Sequence, residues 1–393
     1  MKFLTEYLEE AKSRNLYRQT TVYEPLDPVH VRQNGRTYLI LAANNYLGLT
    51  HCPAVRQAAS AAAMSYGTGS GGARLITGTY PLYAQLEQRI AAFKGTEAAL
   101  VFNTGYMANV GTMSALAGPE DVIFSDELNH ASIIDGCRLS RARIIVYRHA
   151  NTDHLAACLK STPCHGKRLI VTDGVFSMDG DIAPLPDIVQ LARRYDAIVA
   201  VDDAHATGVI GPGGRGTAAY YHLADQVPVQ IGTLSKALGA EGGFVAGSHE
   251  LIDYLLNRAR SFIFSTALAP ATVAAAAEAL NQLVRRPELV VKLRDNAEFV
   301  RSALTVAGLK IGAGQTPIIP VTVGAAEAAL QLSEDLKSEG LILSAIRPPT
   351  VPAGSSRLRL ALSAAHNQTE LGQASEKIAA AVKRLAKKKR VKI

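Results

Sequence analysis

The 393-residue chain has no tryptophan, only four cysteines and no surplus of acidic residues. Each shortage excludes something. Charged residues make up 19% against 48% hydrophobic, with both signs mixed, so the chain buries a core and is not disordered. Cys52, Cys137, Cys158 and Cys164 form no Cys-x-x-Cys pair, and no histidine cluster stands at zinc-site spacing. Neither a metal site nor a disulfide framework is expected, and a reducing compartment fits. No apolar run reaches the roughly 20 residues that span a bilayer. The opening residues, Met1 to Glu10, are acidic and amphipathic, unlike a signal peptide, so a cytoplasmic protein without membrane contact is expected.

No internal repeat is present. The glycine-rich stretch Tyr66 to Arg74 lacks the Gly-Lys-Ser/Thr of a Walker loop. It also follows a helical pattern, not a strand, which excludes the dinucleotide fingerprint. It reads as a loop, either an anion cradle or a plain linker. Of the net charge of +7, seven positive charges lie in the tail Lys383 to Lys392, leaving the body near neutral. The tail reads as a solvated helix end, and nucleic-acid binding is not expected of it.

What is present is alternation. After an N-terminal helix (Phe3, Leu4, Tyr7, Leu8 and Ala11 on one face), a connector to about Gly35 and a strand Tyr38 to Ala43, helices Pro53 to Ser65 and Pro81 to Phe93 follow. Strands are then expected at 98–102, 122–125, 143–147, 169–172, 197–201 and 229–234, with helices between most of them, including Tyr106 to Leu116 and Ala131 to Leu139. Short β-branched runs alternating with helices indicate an α/β fold with a large, mostly parallel sheet covered on both faces. Beyond Gly247 helices dominate to about Val306. Strands at 318–323, 341–346 and 357–362 then make a smaller C-terminal α/β unit. The expected divisions are 1–45, a helix and connector; 46–285, the large domain; and 286–393, the small domain.

Ligands of parallel sheets gather at the carboxyl ends of strands. Those ends supply Gly105-Tyr106, His130, Ser177, Asp202 with His205, and Thr233-Leu234-Ser235-Lys236. The ordinary reading of Lys236 is a surface lysine. Flanked by small and apolar residues, it also suits a lysine whose amine is a nucleophile. The ordinary readings of the others are turn formers, caps and structural histidines. Together they fit a pyridoxal phosphate site. Gly105 and Tyr106 open a helix toward a phosphate, and Thr233 adds to it. His130 would stack on the ring, and Asp202 would keep the pyridine nitrogen protonated. His205 and Ser177 would bond the ring hydroxyl.

The spelling goes further. Asn44-Asn45-Tyr46-Leu47-Gly48-Leu49, Asp173 to Gly180, Asp202 to Gly208, Gly232 to Lys236 and Ser261 to Thr266 resemble the α-oxoamine synthase family over about residues 35–370. The resemblance implies a fold-type I pyridoxal phosphate transferase, similar to aspartate aminotransferase. Ala345 to Gly354 resembles the biotin-pathway branch, implying condensation of L-alanine with a pimeloyl thioester, carried on coenzyme A or a carrier protein, with loss of CO2. The alternative within the family is a glycine C-acetyltransferase.

The same resemblance implies that Lys236 holds the cofactor and then acts as general base, with His130, Asp202 and His205 also catalytic. Arg359 and Asn44 would bind the amino-acid carboxylate, while Thr350 and an N-terminal arginine, Arg18 or Arg14, would contact substrate. Ser265 and Thr266 would reach the phosphate of a neighbouring subunit, making the protein a homodimer with sites at the interface.

Overall fold

The computed structural model describes residues 1–312 and 314–390. The chain forms two compact units. One comprises 45–177 and 181–292; the other comprises 1–44, 178–180 and 293–393. The N-terminal helix and connector, set apart in the sequence reading, thus share a unit with the C-terminal segment. The last crossing, at 292/293, falls inside the helix Glu288–Val306, a few residues beyond the expected 285/286.

The larger unit holds a seven-stranded sheet. Its order is Ala98–Phe102, Gly243–Gly247, Val229–Thr233, Ala197–Asp202, Arg168–Asp173, Val122–Asp126 and Arg143–Tyr147. The last five run parallel, whereas Gly243–Gly247 is antiparallel to both neighbours. Alternate residues of one strand point to opposite faces. Ile123, Leu169 and Val171 therefore enter one core, with Ala108, Met113, Ile133 and Leu255 from helices. Val122, Phe124 and Ile170 enter the other, with Leu155, Leu159, Leu185 and Ile188. Burial on both faces is why these strands read as continuous apolar runs.

Gly243–Gly247 was not expected, because its terminal glycines read as loop. Its glycine is needed: a Cβ at Gly243 would lie 2.4 Å from the Thr104 carbonyl oxygen.

The smaller unit carries two sheets. In one, Ile318–Gly324, Ser356–Ala361 and Ser344–Ile346 are antiparallel, with Ser356–Ala361 central. In the other, Arg36–Ile40 pairs with His30–Gln33 and, in parallel, with Leu341–Ile342. Two corrections follow. The single strand expected at 341–346 is two strands in different sheets, broken at Leu343. The connector before Gly35 contains the strands Glu24–Pro25 and His30–Gln33. Leu39 and Leu341 join Leu304, Leu336, Leu360 and Ile378 in one core, so the N-terminal strand is tied to this unit by pairing and burial together.

The basic tail extends the helix Gln368–Arg390; Val391 and Lys392 lie outside the described residues. Among the described residues, no helix is long and apolar enough to cross a membrane.

Candidate active site

In the larger unit the carboxyl ends of the parallel strands bring His130, Asp173, Asp202, His205 and Lys236 together. The turn bearing Lys236 is closed by its own polar groups. Thr233 Oγ1 donates to the Gly242 carbonyl at 2.8 Å, and the Ser235 hydroxyl reaches the same oxygen at 3.2 Å. The half-buried Lys236 then places Nζ 2.9 Å from His205 Nε2. His205 Nδ1 lies 2.7 Å from the hydroxyl of Tyr46, which is wholly buried.

Asp202, 3% exposed, ends its strand. Its Oδ1 accepts from Ala204 N at 2.8 Å and its Oδ2 from Asn109 Nδ2 at 2.6 Å. The same Asn109 amide donates to Ser132 Oγ at 2.9 Å, and Ser132 Oγ lies 2.7 Å from His130 Nδ1. A polar chain thus runs from Asp202 to His130 through two side chains the sequence reading did not select. Asn109 left a weak signal: its amide lies on the buried face of the helix Gly105–Leu116, among Ala108, Thr112 and Met113.

His130 caps the helix Ala131–Ser140, and its own N–H donates to Asp173 Oδ2 at 2.8 Å. Desolvation holds its imidazole below the usual histidine range; Asp202 opposes that and Lys236 reinforces it. Burial, followed by the Asp202 charge, pushes the Asp173 carboxyl well above the usual carboxylate range.

Asp203, beside Asp202, faces away into a buried ion pair with Lys94 at 2.7 Å. Its carboxylate also accepts from Thr217 N, and Lys94 bonds the Arg215 carbonyl at 2.7 Å. The adjacent acids of the Asp202-Asp203 pair therefore have separate tasks, one turned to the site and one anchoring the loop behind it.

Gly105 and Tyr106 open the helix Gly105–Leu116, whose Thr104 cap accepts from Met107 N. Gly105 packs directly on Thr233: a Cβ there would lie 3.2 Å from Thr233 Cβ and 3.3 Å from Oγ1. The bare backbone, the helix start and a threonine hydroxyl make a cradle suited to a phosphate. Ser177 is half-buried in the loop after Phe176.

The glycine-rich loop packs against the segment bearing Thr266. Ala73 bridges Thr266, and Ser70 Oγ donates to the Ala267 carbonyl at 2.7 Å. Thr266 is exposed and Ser265 half-buried. Amine, buried carboxylate, imidazoles and phosphate cradle together form a donor set that fits pyridoxal phosphate.

In the smaller unit, Arg359 is buried on the central strand Ser356–Ala361, and its Nη2 donates to Asn44 Oδ1 at 3.1 Å. Its neighbour Arg357 pairs with Asp179 instead. A cavity of about 630 Å³ is lined by Tyr7, Leu8, Tyr17, Arg18, Arg347 and Thr350, among others. Of the two N-terminal arginines, Arg18 lines it, whereas Arg14 forms an ion pair with Glu10 at 3.0 Å. Arg347, unassigned in the sequence reading, donates through Nε to the Asn15 carbonyl at 2.7 Å.

Comparison with known proteins gives a consistent picture. The family model for aminotransferase class I and II matches residues 36–378. The 8-amino-7-oxononanoate synthase of Geobacter sulfurreducens is 49% identical over 97% of both chains. That of Lysinibacillus sphaericus is 48% identical over 94% of this chain and 95% of its own. Among solved structures, the serine palmitoyltransferase of Sphingomonas wittichii superposes at TM-score 0.92 and 34% identity, covering 98% of this chain and 97% of that one. The 8-amino-7-oxononanoate synthase of Francisella tularensis gives TM-score 0.76 and 29% identity, covering 88% of this chain and 98% of its own. Backbone similarity alone does not rank these two chemistries, since one fold hosts several functions. Sequence identity does: the chain belongs to the aminotransferase class I and II family and, within it, to the 8-amino-7-oxononanoate synthases.

Proposed function

We propose that the chain binds pyridoxal phosphate and condenses L-alanine with a pimeloyl thioester, releasing CO2 and the free thiol and yielding 8-amino-7-oxononanoate for biotin synthesis. The observation that carries this reading is the seating of the Lys236 amine against His205, with Asp202 buried in the same strand-end site. When bound, the cofactor supplies an electron sink for negative charge developing at the amino-acid Cα.

The chain's own residues do the rest. Lys236 would hold the cofactor through Nζ, and the same nitrogen is placed to take the Cα proton of the amino acid. Asp202, oriented by Asn109, would keep a proton on the pyridine nitrogen. His130, held below its usual range, would offer a neutral imidazole face to the ring. His205 and Ser177 would bond the ring hydroxyl, while Gly105, Tyr106 and Thr233 would receive the phosphate. Arg359, steadied by Asn44, binds the alanine carboxylate; a planar guanidinium takes a carboxylate through two parallel bonds. The cavity lined by Arg18, Arg347 and Thr350 suits an aliphatic acyl chain ending in a second carboxylate.

The reading includes a homodimer in which Ser265 and Thr266 contribute to the neighbouring subunit's phosphate site. Exposed apolar side chains support it: Met64, Ile76 and Phe264 are 86%, 80% and 70% exposed. It also places the protein in the cytoplasm, in keeping with four free cysteines.

The test is a product assay by mass spectrometry, pairing alanine or glycine with pimeloyl or acetyl thioesters. 8-Amino-7-oxononanoate from alanine and a pimeloyl donor is expected. Turnover only with glycine and acetyl-CoA would instead establish a glycine C-acetyltransferase. Running the coenzyme A and carrier-protein donors side by side identifies the donor.

A further inference from the structure

Tyr46, His205 and Lys236 form a line. The Tyr46 hydroxyl lies 2.7 Å from His205 Nδ1, and on the far side of the ring His205 Nε2 lies 2.9 Å from Lys236 Nζ. Tyr46 is 0% exposed and His205 6%. The rings meet edge-on, centroids 6.0 Å apart.

A neutral imidazole placed this way has two tautomers with opposite consequences. If the phenol donates to Nδ1, the ring proton sits on Nε2 and points at the lysine, which must then present a lone pair. Only the neutral amine has one. If the proton sits on Nδ1, Nε2 becomes an acceptor for the ammonium. The 2.7 Å contact sits at the usual length for an O–H donor and at the short edge of the N–H range, which favours the phenol as donor, while the 2.9 Å contact between the two nitrogens suits either direction.

The placement of Tyr46 is built into the backbone. The segment following it presses on the turns that carry both partners, through contacts only glycine allows. A Cβ at Gly208 would lie 2.6 Å from Ala237 Cβ and 3.2 Å from Leu47 Cδ1, and one at Gly239 would lie 2.7 Å from Thr50 N. Both glycines hold positive φ, +75° and +59°.

We propose that Tyr46 is a positioning residue: its hydroxyl fixes His205 as the Nε2–H tautomer, and through that tautomer keeps the Lys236 amine neutral and aimed. The inference rests on the reading of Lys236 as nucleophile and base. The lysine's charge also acts on Asp173, at a strand end, and on His130, at the next helix start, and Asp202 acts on both. The variants below leave all three in place.

Tyr46→Phe keeps the buried ring and removes only the hydroxyl. In the full-length chain freed of cofactor, the rate of cyanate labelling at Lys236 is followed against pH by peptide mass spectrometry. In Tyr46→Phe the midpoint of that profile is expected to rise by about one pH unit, which is roughly tenfold slower labelling below the midpoint. In a His205→Asn background the same substitution should change nothing, because coupled residues are non-additive. An unmoved midpoint, or an equal shift in both backgrounds, overturns the proposal.

A second measurement does not depend on the variant folding. Nitrogen-15 shifts of histidine-labelled wild-type chain should show His205 protonated at Nε2; protonation at Nδ1 overturns the proposal. Lys236→Ala separates the two levels. Turnover surviving in that variant removes the parent reading, whereas an inert Tyr46→Phe beside a dead Lys236→Ala removes this inference alone.

Discussion

His149 offers a test in which the sign and size of an electrostatic contribution are both set by geometry. Its Nδ1 lies 3.0 Å from Asp126 Oδ1 and its Nε2 2.8 Å from Asp181 Oδ2, and the ring stands edge-on to Phe176 at 4.4 Å. Burial opposes charging this ring. The bonds to Asp126 and Asp181 outweigh it and push the imidazole from 6.5 up to about 10. Fully expressed, that displacement is worth roughly 5 kcal/mol.

Water takes part of it back. Asp126 is 1% exposed, but His149 is 22% and Asp181 38%, so one pair is shielded from solvent and the other is screened. We expect about 2–3 kcal/mol for His149→Gln, a value reduced from that ceiling for screening. Because the folded-state value is raised, the contribution is complete below about pH 6.5 and fades as pH climbs through about 10.

Urea denaturation of both proteins at fixed cofactor concentration, at pH 6, 8 and 10.5, measures it. The difference should be largest at pH 6 and shrink to under about 1 kcal/mol at pH 10.5. A difference that stays constant with pH, or a variant as stable as the parent at pH 6, refutes the reasoning. The clamp has a further consequence: Asp126 also accepts from Leu128 N and Ala150 N at 2.9 Å, so it shapes the loop leading to His130.

Two further predictions follow from neighbouring charges. Lys94→Met strands Asp203 as an unpaired buried carboxylate and should cost about 3–5 kcal/mol, read from the midpoint of thermal or urea unfolding. A melt within 1 kcal/mol of the parent would mean that water or another cation replaces Lys94. Asp202→Asn keeps the size of the side chain but removes the negative charge and one of its two acceptor oxygens. It should lower kcat by about a hundredfold or more while circular dichroism stays unchanged, and a parental rate would take Asp202 out of the role assigned to it.

Much of the larger unit was legible because a parallel sheet buries both faces. Its strands must be apolar throughout, so a polar residue next to such a run stands out. His130, Asp202 and Lys236 stood out in this way, and the structure places them in one group. Gly243–Gly247 did not, because glycines at both ends look like a turn until close approach to Thr104 explains one of them. Leu341 to Ile346 reads as one strand-like run, and Ser344, which opens its second strand, is too slight a break to mark a division between two sheets. Lys94 reads as the cationic end of a surface helix. Its burial depends on Asp203, 109 residues away in sequence.

The sequence by itself determined the α/β alternation, the family spelling and the residue types available at each strand end. These are local properties, written in periodicity and in short motifs. Only the tertiary structure decided which groups meet. Tyr46 touches His205 across 159 residues, and Asn109 reaches Asp202 across 93. Arg357 rather than Arg359 takes the acid Asp179, while Arg359 reaches Asn44. Hydrogen bonds and ion pairs act over about 3 Å in space. Separation along the chain carries no record of them until the sheet and its loops have closed.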